Sequence, residues 1–236
     1  MIDTLAANYN IDLDRVYSCG YSNGGYFSFE LACQLSHRIA AIGSVGGKMS
    51  AETYNACSPS HPTPVITIHG TEDNIVSYYS SQPAGSKTIS QTHNYWINYN
   101  NTDTDAITEN MPNTNTSDGS RVEYHAYRNG DSCVSLDHYK VIGGGHDWPG
   151  AWGNKDIDAS SVIWEFVSQY DLHGAIDCMI TSHADALGSG NEFQIYPNPT
   201  EGLVNVDMDL HKEIECHVYS LTGQLLIMKT LSPDDK

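Results

Sequence analysis

The stretch Arg15-Val-Tyr-Ser-Cys-Gly20-Tyr21-Ser22-Asn23-Gly24-Gly25 decides the fold. An apolar strand over residues 15–19 runs straight into Gly-x-Ser-x-Gly, and a helical segment from Tyr26 to Leu35 follows. In this strand–turn–helix context the glycines permit a turn so tight that the serine points out of the sheet. The pattern therefore predicts a nucleophile at Ser22, with the backbone N–H of Asn23 placed to bind a developing oxyanion.

The charge balance of the 236-residue chain excludes some classes of protein. There are 29 acidic and 11 basic residues, for a formal net charge of −18. A general nucleic-acid binder needs basic residues to neutralise phosphates, and attraction to anionic lipid needs them as well.

No run of 18 apolar residues is present, so no transmembrane helix is predicted. The first sixteen residues lack a basic region followed by an apolar one, so we expect no signal peptide in this chain.

Beyond the opening stretch, short apolar segments alternate with amphipathic ones. The apolar segments predict strands at 39–45, 64–69, 122–127 and 136–142. The amphipathic segments predict helices at 2–10, 90–99 and 159–170. Residues 100–120, rich in Asn, Thr, Asp and Ser, indicate a polar surface insertion. The alternation predicts an α/β domain with a mostly parallel sheet over residues 1–170.

The C-terminal part of the chain differs in character. Residues 171–191 lack periodicity and are interpreted as a linker. Residues 193–236 contain four short alternating segments separated by turns, which predict a small partial β-sandwich.

Two further motifs supply the partners that a serine nucleophile needs. Asp73 lies just after the strand at 64–69, and Glu72 is its rival as the acid. His146 follows three glycines after the strand at 136–142, on a loop that can bend toward the serine. This chain order, serine then acid then histidine, is typical of enzymes with such an elbow. A neutral imidazole would take the serine proton, and a buried carboxylate would fix its tautomer.

Competing interpretations remain open. A secreted binding or surface protein on the same scaffold would keep the elbow without catalysis, and a peptidase would use the same three side chains. His69, Asp73 and His146 could be imagined as metal ligands, but helical metal-binding spacing is lacking. Asp103-Thr-Asp105 could bind calcium, but it lacks EF-hand spacing. We therefore expect neither a metal nor a cofactor.

The three motifs together resemble a known family. Gly20-Tyr-Ser-Asn-Gly-Gly, His69-Gly-Thr-Glu-Asp-Asn-Ile-Val and Gly143-Gly-Gly-His-Asp-Trp-Pro-Gly are similar to the secreted feruloyl esterase and polyhydroxybutyrate depolymerase family of α/β-hydrolases. The resemblance covers residues 1–170. It implies hydrolysis of feruloyl or acetyl esters on polysaccharide, or of short acyl esters. It also implies that Tyr21 and Trp148 contact the substrate.

The C-terminal segment resembles something else. Phe193-Gln-Ile-Tyr-Pro-Asn-Pro-Thr-Glu-Gly, followed by Val218-Tyr-Ser-Leu-Thr-Gly-Gln, is similar to the type IX secretion sorting domain of Bacteroidetes. This implies a secreted or cell-surface protein. An ordinary carbohydrate-binding β-module is the alternative.

The chain also departs from the esterase family. The family places about four strands before the serine, including the one whose loop supplies a second oxyanion donor. We therefore expect an N-terminally truncated hydrolase fold with low activity on polymeric substrates. The strand at 15–19 would then be an exposed parallel edge, which favours pairing with another chain. A homo-oligomer that covers this edge is expected.

The six cysteines leave several pairings open. Cys33 and Cys57 flank a short segment and could form a disulfide, whereas Cys19 is expected to be a buried free thiol. The family often has a disulfide near Cys133, but its usual partner region after Trp96 has no cysteine. Cys133 could therefore be free, or paired with Cys178 or another distant cysteine.

Overall fold

A computed structural model describes residues 1–178 and the backbone of four later strands. The helices are α1 (Ile2–Ala6), α2 (Asn23–Gln34), α3 (Ala51–Ala56), α4 (Ile89–Asn100) and α5 (Ala159–Val167). The strands up to residue 178 are β1 (Tyr17–Tyr21), β2 (Ala41–Val45), β3 (Val65–Gly70), β4 (Ile107–Asn110), β5 (Arg121–Tyr127), β6 (Leu136–Ile142), β7 (Tyr170–Asp171) and β8 (Gly174–Ala175). The later strands are β9 (Phe193–Tyr196), β10 (Asn205–Met208), β11 (Ile214–Tyr219) and β12 (Leu225–Leu231).

Six strands form one mixed sheet in the order β1-β2-β3-β6-β5-β4. β1, β2, β3 and β6 run parallel, while β5 and β4 are antiparallel to their neighbours. Parallel strands joined by helices place those helices on the faces of the sheet. This is the α/β-hydrolase type of architecture that the sequence predicted.

The core lies on both faces of the sheet. Successive residues of a strand point to opposite faces, so neighbours in β2 belong to different clusters. Ala41 packs in the cluster that contains Ile163 of α5, and Ile42 packs in the cluster that contains Phe29 of α2 and Trp96 of α4. α5 therefore covers one face, and α2 with α4 covers the other.

Several elements differ from the predicted ones. α2 begins at Asn23, directly after Ser22, and not at Tyr26 as predicted. β4 lies within the predicted polar insertion. All four of its residues are exposed, and its sequence has no alternation of apolar and polar residues that would have indicated a strand. The sequence reading missed α3, a short helix whose first N–H groups are capped when Ser50 Oγ accepts from Thr53 N.

The strand β1 lies at one end of the sheet order, beside β2 alone. The predicted parallel edge is therefore present in the described sheet. Cys19 lies on β1 and is exposed, so its predicted burial was wrong. A strand with a sheet neighbour on one side only leaves its residues less covered than a central strand does.

Two disulfides resolve the open pairings. Cys33 on α2 is bonded to Cys57 at the end of α3, and Cys133 is bonded to Cys178. The second disulfide lies beside a short hairpin, β7–β8, in a region where the sequence indicated no regular structure after residue 171.

Contacts divide the chain into two compact units, Met1–Cys178 and Met179–Lys236. In the second unit β9 pairs antiparallel with β10, and β11 pairs antiparallel with β12. Among the described residues, no helix has both the length and the apolar character needed to cross a bilayer.

Candidate active site

Ser22 occupies the turn between β1 and α2 in an unusual backbone conformation. Its φ is 54° and its ψ is −116°, outside the regions that non-glycine residues ordinarily occupy. The backbone N–H of Ser22 donates to Val45 O at 2.8 Å, which ties the turn to the end of β2. Ser22 stands at the N-cap of α2, yet its side chain caps no helical N–H. Its hydroxyl is therefore available to another partner.

That partner is His146, on the loop after β6. Its Nε2 lies 2.9 Å from Ser22 Oγ, and its Nδ1 lies 2.7 Å from Asp73 Oδ2. A carboxylate oxygen only accepts, so Nδ1 carries the proton of the neutral ring and Nε2 is free to accept from the serine hydroxyl. The structure thus brings together the serine, the histidine and the favoured acid.

Close backbone contact positions the histidine loop. A Cβ atom on Gly70 would lie 2.2 Å from the carbonyl oxygen of Gly144, so only glycine fits at the end of β3. The N–H of Glu72 donates to the same carbonyl at 2.9 Å. The loops that carry Asp73 and His146 are therefore packed backbone to backbone.

Asp73 is buried and fully hydrogen-bonded. Its Oδ1 accepts from the N–H groups of Ile75 at 2.9 Å and Val76 at 2.7 Å. Burial by itself raises the pKa of Asp73, but hydrogen bonds from His69, His146 and the two backbone N–H groups outweigh it and lower the pKa to about 2. Asp73 is therefore ionised at neutral pH. The rival residue, Glu72, is exposed to solvent, whereas His146 Nδ1 meets the carboxylate of Asp73.

The loop after Asp73 is held by a buried cation. The side chain of Lys48, which follows β2, is completely buried. Its Nζ donates to the carbonyl oxygens of Ser77, Ser80 and Gln82, each at 2.9 Å. All three ammonium protons are thereby used, so the segment between Ser77 and Gln82 is anchored to the protein interior.

Aromatic side chains border His146. The hydroxyl of Tyr21 donates to the carbonyl oxygen of His146 at 2.7 Å, and the two rings lie 4.8 Å apart. Trp148 and Trp152 meet the ring of Tyr21 edge-on at 6.4 and 5.7 Å. Trp152 is 49% exposed and escaped the sequence analysis, although it follows Trp148 by one turn of the same loop. Tyr21 thus contacts the histidine backbone, a contact the sequence did not predict.

The oxyanion side of the site begins at Asn23. Asn23 is the first residue of α2, where the leading N–H groups have no partner within the helix. The helix dipole adds positive potential at the same end. Among residues 1–178 and the later strands, no group of three or more His, Cys, Asp or Glu side chains is arranged to hold a metal ion.

A serine on a strand–turn–helix elbow, with its histidine and carboxylate supplied by loops after later parallel strands, defines the chain as an α/β-hydrolase in fold. Comparison with known proteins narrows the resemblance. Residues 1–117 match the family described as phospholipase/carboxylesterase. The similarity is thus to carboxylic ester hydrolases, in agreement with the resemblance seen in the sequence.

Individual relatives are also esterases by name. A bifunctional acetylxylan esterase/xylanase of Neocallimastix patriciarum is 28% identical over 209 residues, which cover 86% of this chain and 26% of the relative. Feruloyl esterase B of Piromyces equi is 29% identical over 171 residues, 69% of this chain and 28% of the relative. Feruloyl esterase D of Neurospora crassa is 26% identical over 173 residues, 72% of this chain and 53% of the relative. The chain therefore spans about a quarter to a half of the length of these three relatives.

The C-terminal residues match a different family. Residues 194–236 match the secretion system C-terminal sorting domain. This match confirms the resemblance to a sorting domain and points to secretion.

Proposed function

We propose that this chain is a serine esterase that hydrolyses carboxylic esters through an acyl-enzyme. The observation that carries the proposal is the hydrogen-bonded chain from Ser22 Oγ through His146 to Asp73, at 2.9 and 2.7 Å. A serine hydroxyl is a weak nucleophile at neutral pH, and an adjacent imidazole activates it by taking its proton.

Acylation follows from this geometry. Ser22 Oγ attacks the ester carbonyl carbon while its proton moves to His146 Nε2. The negative charge that develops on the carbonyl oxygen is stabilised by the N–H of Asn23. When the tetrahedral intermediate collapses, His146 gives its proton to the leaving alcohol, and the acyl group stays on Ser22.

Deacylation repeats these steps with water as the nucleophile. His146 Nε2 takes a proton from the water as it attacks the acyl carbonyl, and the acid is released when Ser22 recovers its proton. Asp73 remains ionised throughout because its pKa is lowered to about 2. Its negative charge stabilises the imidazolium that forms in each half of the reaction.

The substrate class rests on the relatives and the aromatic border. The names of the relatives specify acetylxylan and feruloyl esters, so we propose feruloyl or acetyl esters of polysaccharide, or short acyl esters. Tyr21 and Trp148 would line the approach to Ser22.

The test is hydrolysis of p-nitrophenyl esters from C2 to C8 by the purified chain and by its Ser22→Ala variant. We expect release of p-nitrophenol that falls to background in the variant. Equal rates in both proteins would contradict the proposed nucleophile. Absence of hydrolysis in both would favour a non-catalytic binding protein on this scaffold.

We also propose that a second copy of the chain covers the exposed edge at β1. Among the described strands β1 pairs with β2 alone, so its other edge offers backbone N–H and C=O groups to another strand. Light scattering on the purified chain is expected to give a mass above 25.9 kDa. A monodisperse monomer would contradict this assembly.

A further inference from the structure

His69 lies on β3, four residues before Asp73, and the proposed reaction does not use it. Its ring is almost completely buried. Its Nε2 lies 2.7 Å from the carbonyl oxygen of Val76 and 3.3 Å from Asp73 Oδ2. The carboxylate therefore faces two imidazoles, His146 on the side of the serine and His69 on the side of the protein interior.

The partners of His69 define its protonation. Carbonyl and carboxylate oxygens only accept hydrogen bonds, so Nε2 must carry a proton. Nδ1 is buried and has no hydrogen-bond partner among the described residues. A proton on Nδ1 would thus be an unsatisfied buried donor. The proton on Nε2 is therefore the one that His69 offers to Val76 O and Asp73 Oδ2.

Asp73 and His69 together hydrogen-bond the backbone of one residue, Val76, on both sides of its Cα. The N–H of Val76 donates to Asp73 Oδ1 at 2.7 Å, while the carbonyl of Val76 accepts from His69 Nε2. The turn from Asp73 to Val76 is closed from both ends. As a result Oδ1 is occupied by backbone donors, and Oδ2 faces the two imidazoles.

We propose that His69 is a positioning residue for ester hydrolysis, which acts through Asp73 by holding Oδ2 on the Nδ1 proton of His146. This inference rests on the proposed esterase function. A misplacement of about 1 Å in a catalytic group can cost on the order of 100-fold in rate. A role in packing alone would affect folding but not the turnover of the folded protein.

The variants separate positioning from packing. His69→Gln keeps an N–H donor about as far from the backbone as Nε2 of the histidine. The side-chain amide of His69→Asn is about one bond shorter, and His69→Leu has no donor. His93→Leu is the matched control, because His93 is also buried and its Nε2 contacts Thr67 Oγ1 at 3.0 Å rather than Asp73. All are assayed on p-nitrophenyl acetate at a temperature where each is folded by circular dichroism.

We expect His69→Leu to lower kcat about 10- to 100-fold with KM changed less than about twofold. His69→Gln should retain kcat within about threefold of the parent chain, and His69→Asn should fall between Gln and Leu. His93→Leu should stay within about threefold. Equal losses in the Gln and Leu variants, an equal loss in His93→Leu, or an unchanged kcat in His69→Leu would overturn the proposal. If the Leu variant does not fold, the Gln and Asn variants decide, and equal kcat values would overturn it.

A second readout does not depend on hydrolysis. The Nδ1 proton of His146, bonded to Asp73, is expected to give a downfield proton resonance in the parent chain and in His69→Gln. In the Leu or Asn variant it should move upfield or broaden, and an unchanged resonance there would overturn the proposal. If the parent chain hydrolyses esters no faster than Ser22→Ala, the proposed esterase function is wrong. The resonance still tests whether His69 positions Asp73 Oδ2 on the Nδ1 proton of His146.

Discussion

Gly20 and Gly24 approach so closely that a Cβ atom on Gly20 would lie 2.4 Å from the carbonyl carbon of Gly24. Backbone atoms cannot move aside as a flexible side chain can, so overpacking of this kind costs about 1–3 kcal/mol or more. We therefore expect Gly20→Ala to lower the free energy of unfolding, measured by urea titration, by about 1–3 kcal/mol or more.

Gly24→Ala is the control for this substitution, because a Cβ there meets nothing within 4 Å. In a helix, alanine is about 0.8–1 kcal/mol more favourable than glycine, so stability should be unchanged or slightly higher. Equal destabilisation by both substitutions would show that the close approach is not the cause.

Asp73→Asn should remove the charge that orients His146. An amide can donate to Nδ1, which favours the tautomer with its proton on Nε2 and blocks acceptance from Ser22. We expect kcat to fall by about 10⁴-fold, the loss known for the equivalent change in a serine protease. Glu72→Gln, one residue earlier and exposed, should leave kcat within about twofold. Steady-state kinetics on p-nitrophenyl acetate checks both, and a comparable loss from Glu72→Gln would mean that the acid is misassigned.

Tyr21→Phe removes the hydroxyl that donates to His146 O and leaves the ring in place. A lost neutral hydrogen bond is worth about 0.5–1.5 kcal/mol, so we expect kcat to fall about 2- to 12-fold while KM changes little. A rise in KM at constant kcat would instead indicate that the hydroxyl binds the substrate.

Lys48 should give an unusual alkaline dependence of stability. Burial lowers the pKa of its ammonium group to about 8, whereas the unfolded chain holds that proton up to about pH 10.4. Between these values the unfolded state binds more protons, so this ionisation makes folding more favourable as pH rises. The stability advantage of the parent chain over Lys48→Met should therefore widen by about 1–2 kcal/mol from pH 8 to pH 9.5. A constant difference would contradict the assignment.

Buried histidines should make the protein sensitive to acid. Burial lowers the pKa of His93 to about 3 and that of His138 well below its ordinary value, and neighbouring histidines add to both shifts. In the unfolded chain they take up protons near pH 6.5, so stability is complete above that pH and is lost as pH falls. From pH 7 to 5 His93 alone should cost about 2 kcal/mol, and His138 adds to the loss in the same direction. Urea unfolding at pH 7 and pH 5 measures this loss of stability. A His93→Gln variant should lose less stability between the two pH values than the parent chain. Equal stability of the parent chain at both pH values would contradict the prediction.

Local signals explain what the sequence could predict. Glycines at a strand end and an apolar run before them mark the turn at Ser22 without knowledge of distant residues. The same holds for Asp73 and His146, each of which lies on the loop after a strand. The chain order of these three motifs was enough to select the side chains that the structure brings within hydrogen-bond distance.

What escaped prediction depends on contacts between distant parts of the chain. Nothing in the sequence around Lys48 distinguishes it from an ordinary surface lysine. Only the fold shows the three carbonyl groups that surround its ammonium group. The hydroxyl of Tyr21 meets a carbonyl 125 positions later. Cys19 was predicted to be buried because its strand is apolar, but exposure depends on which strand lies beside it.

The disulfide between Cys133 and Cys178 determines how the first unit would respond to a mechanical load. Cys178 is the last residue of that unit, so tension applied through the following residues first reaches this bond. The covalent path then continues at Cys133 and bypasses the 44 residues in between, which include β6, His146 and α5. A pull on the residues after Cys178 would thus leave the histidine loop unstretched. Reduction of the disulfide would place that loop in the line of force.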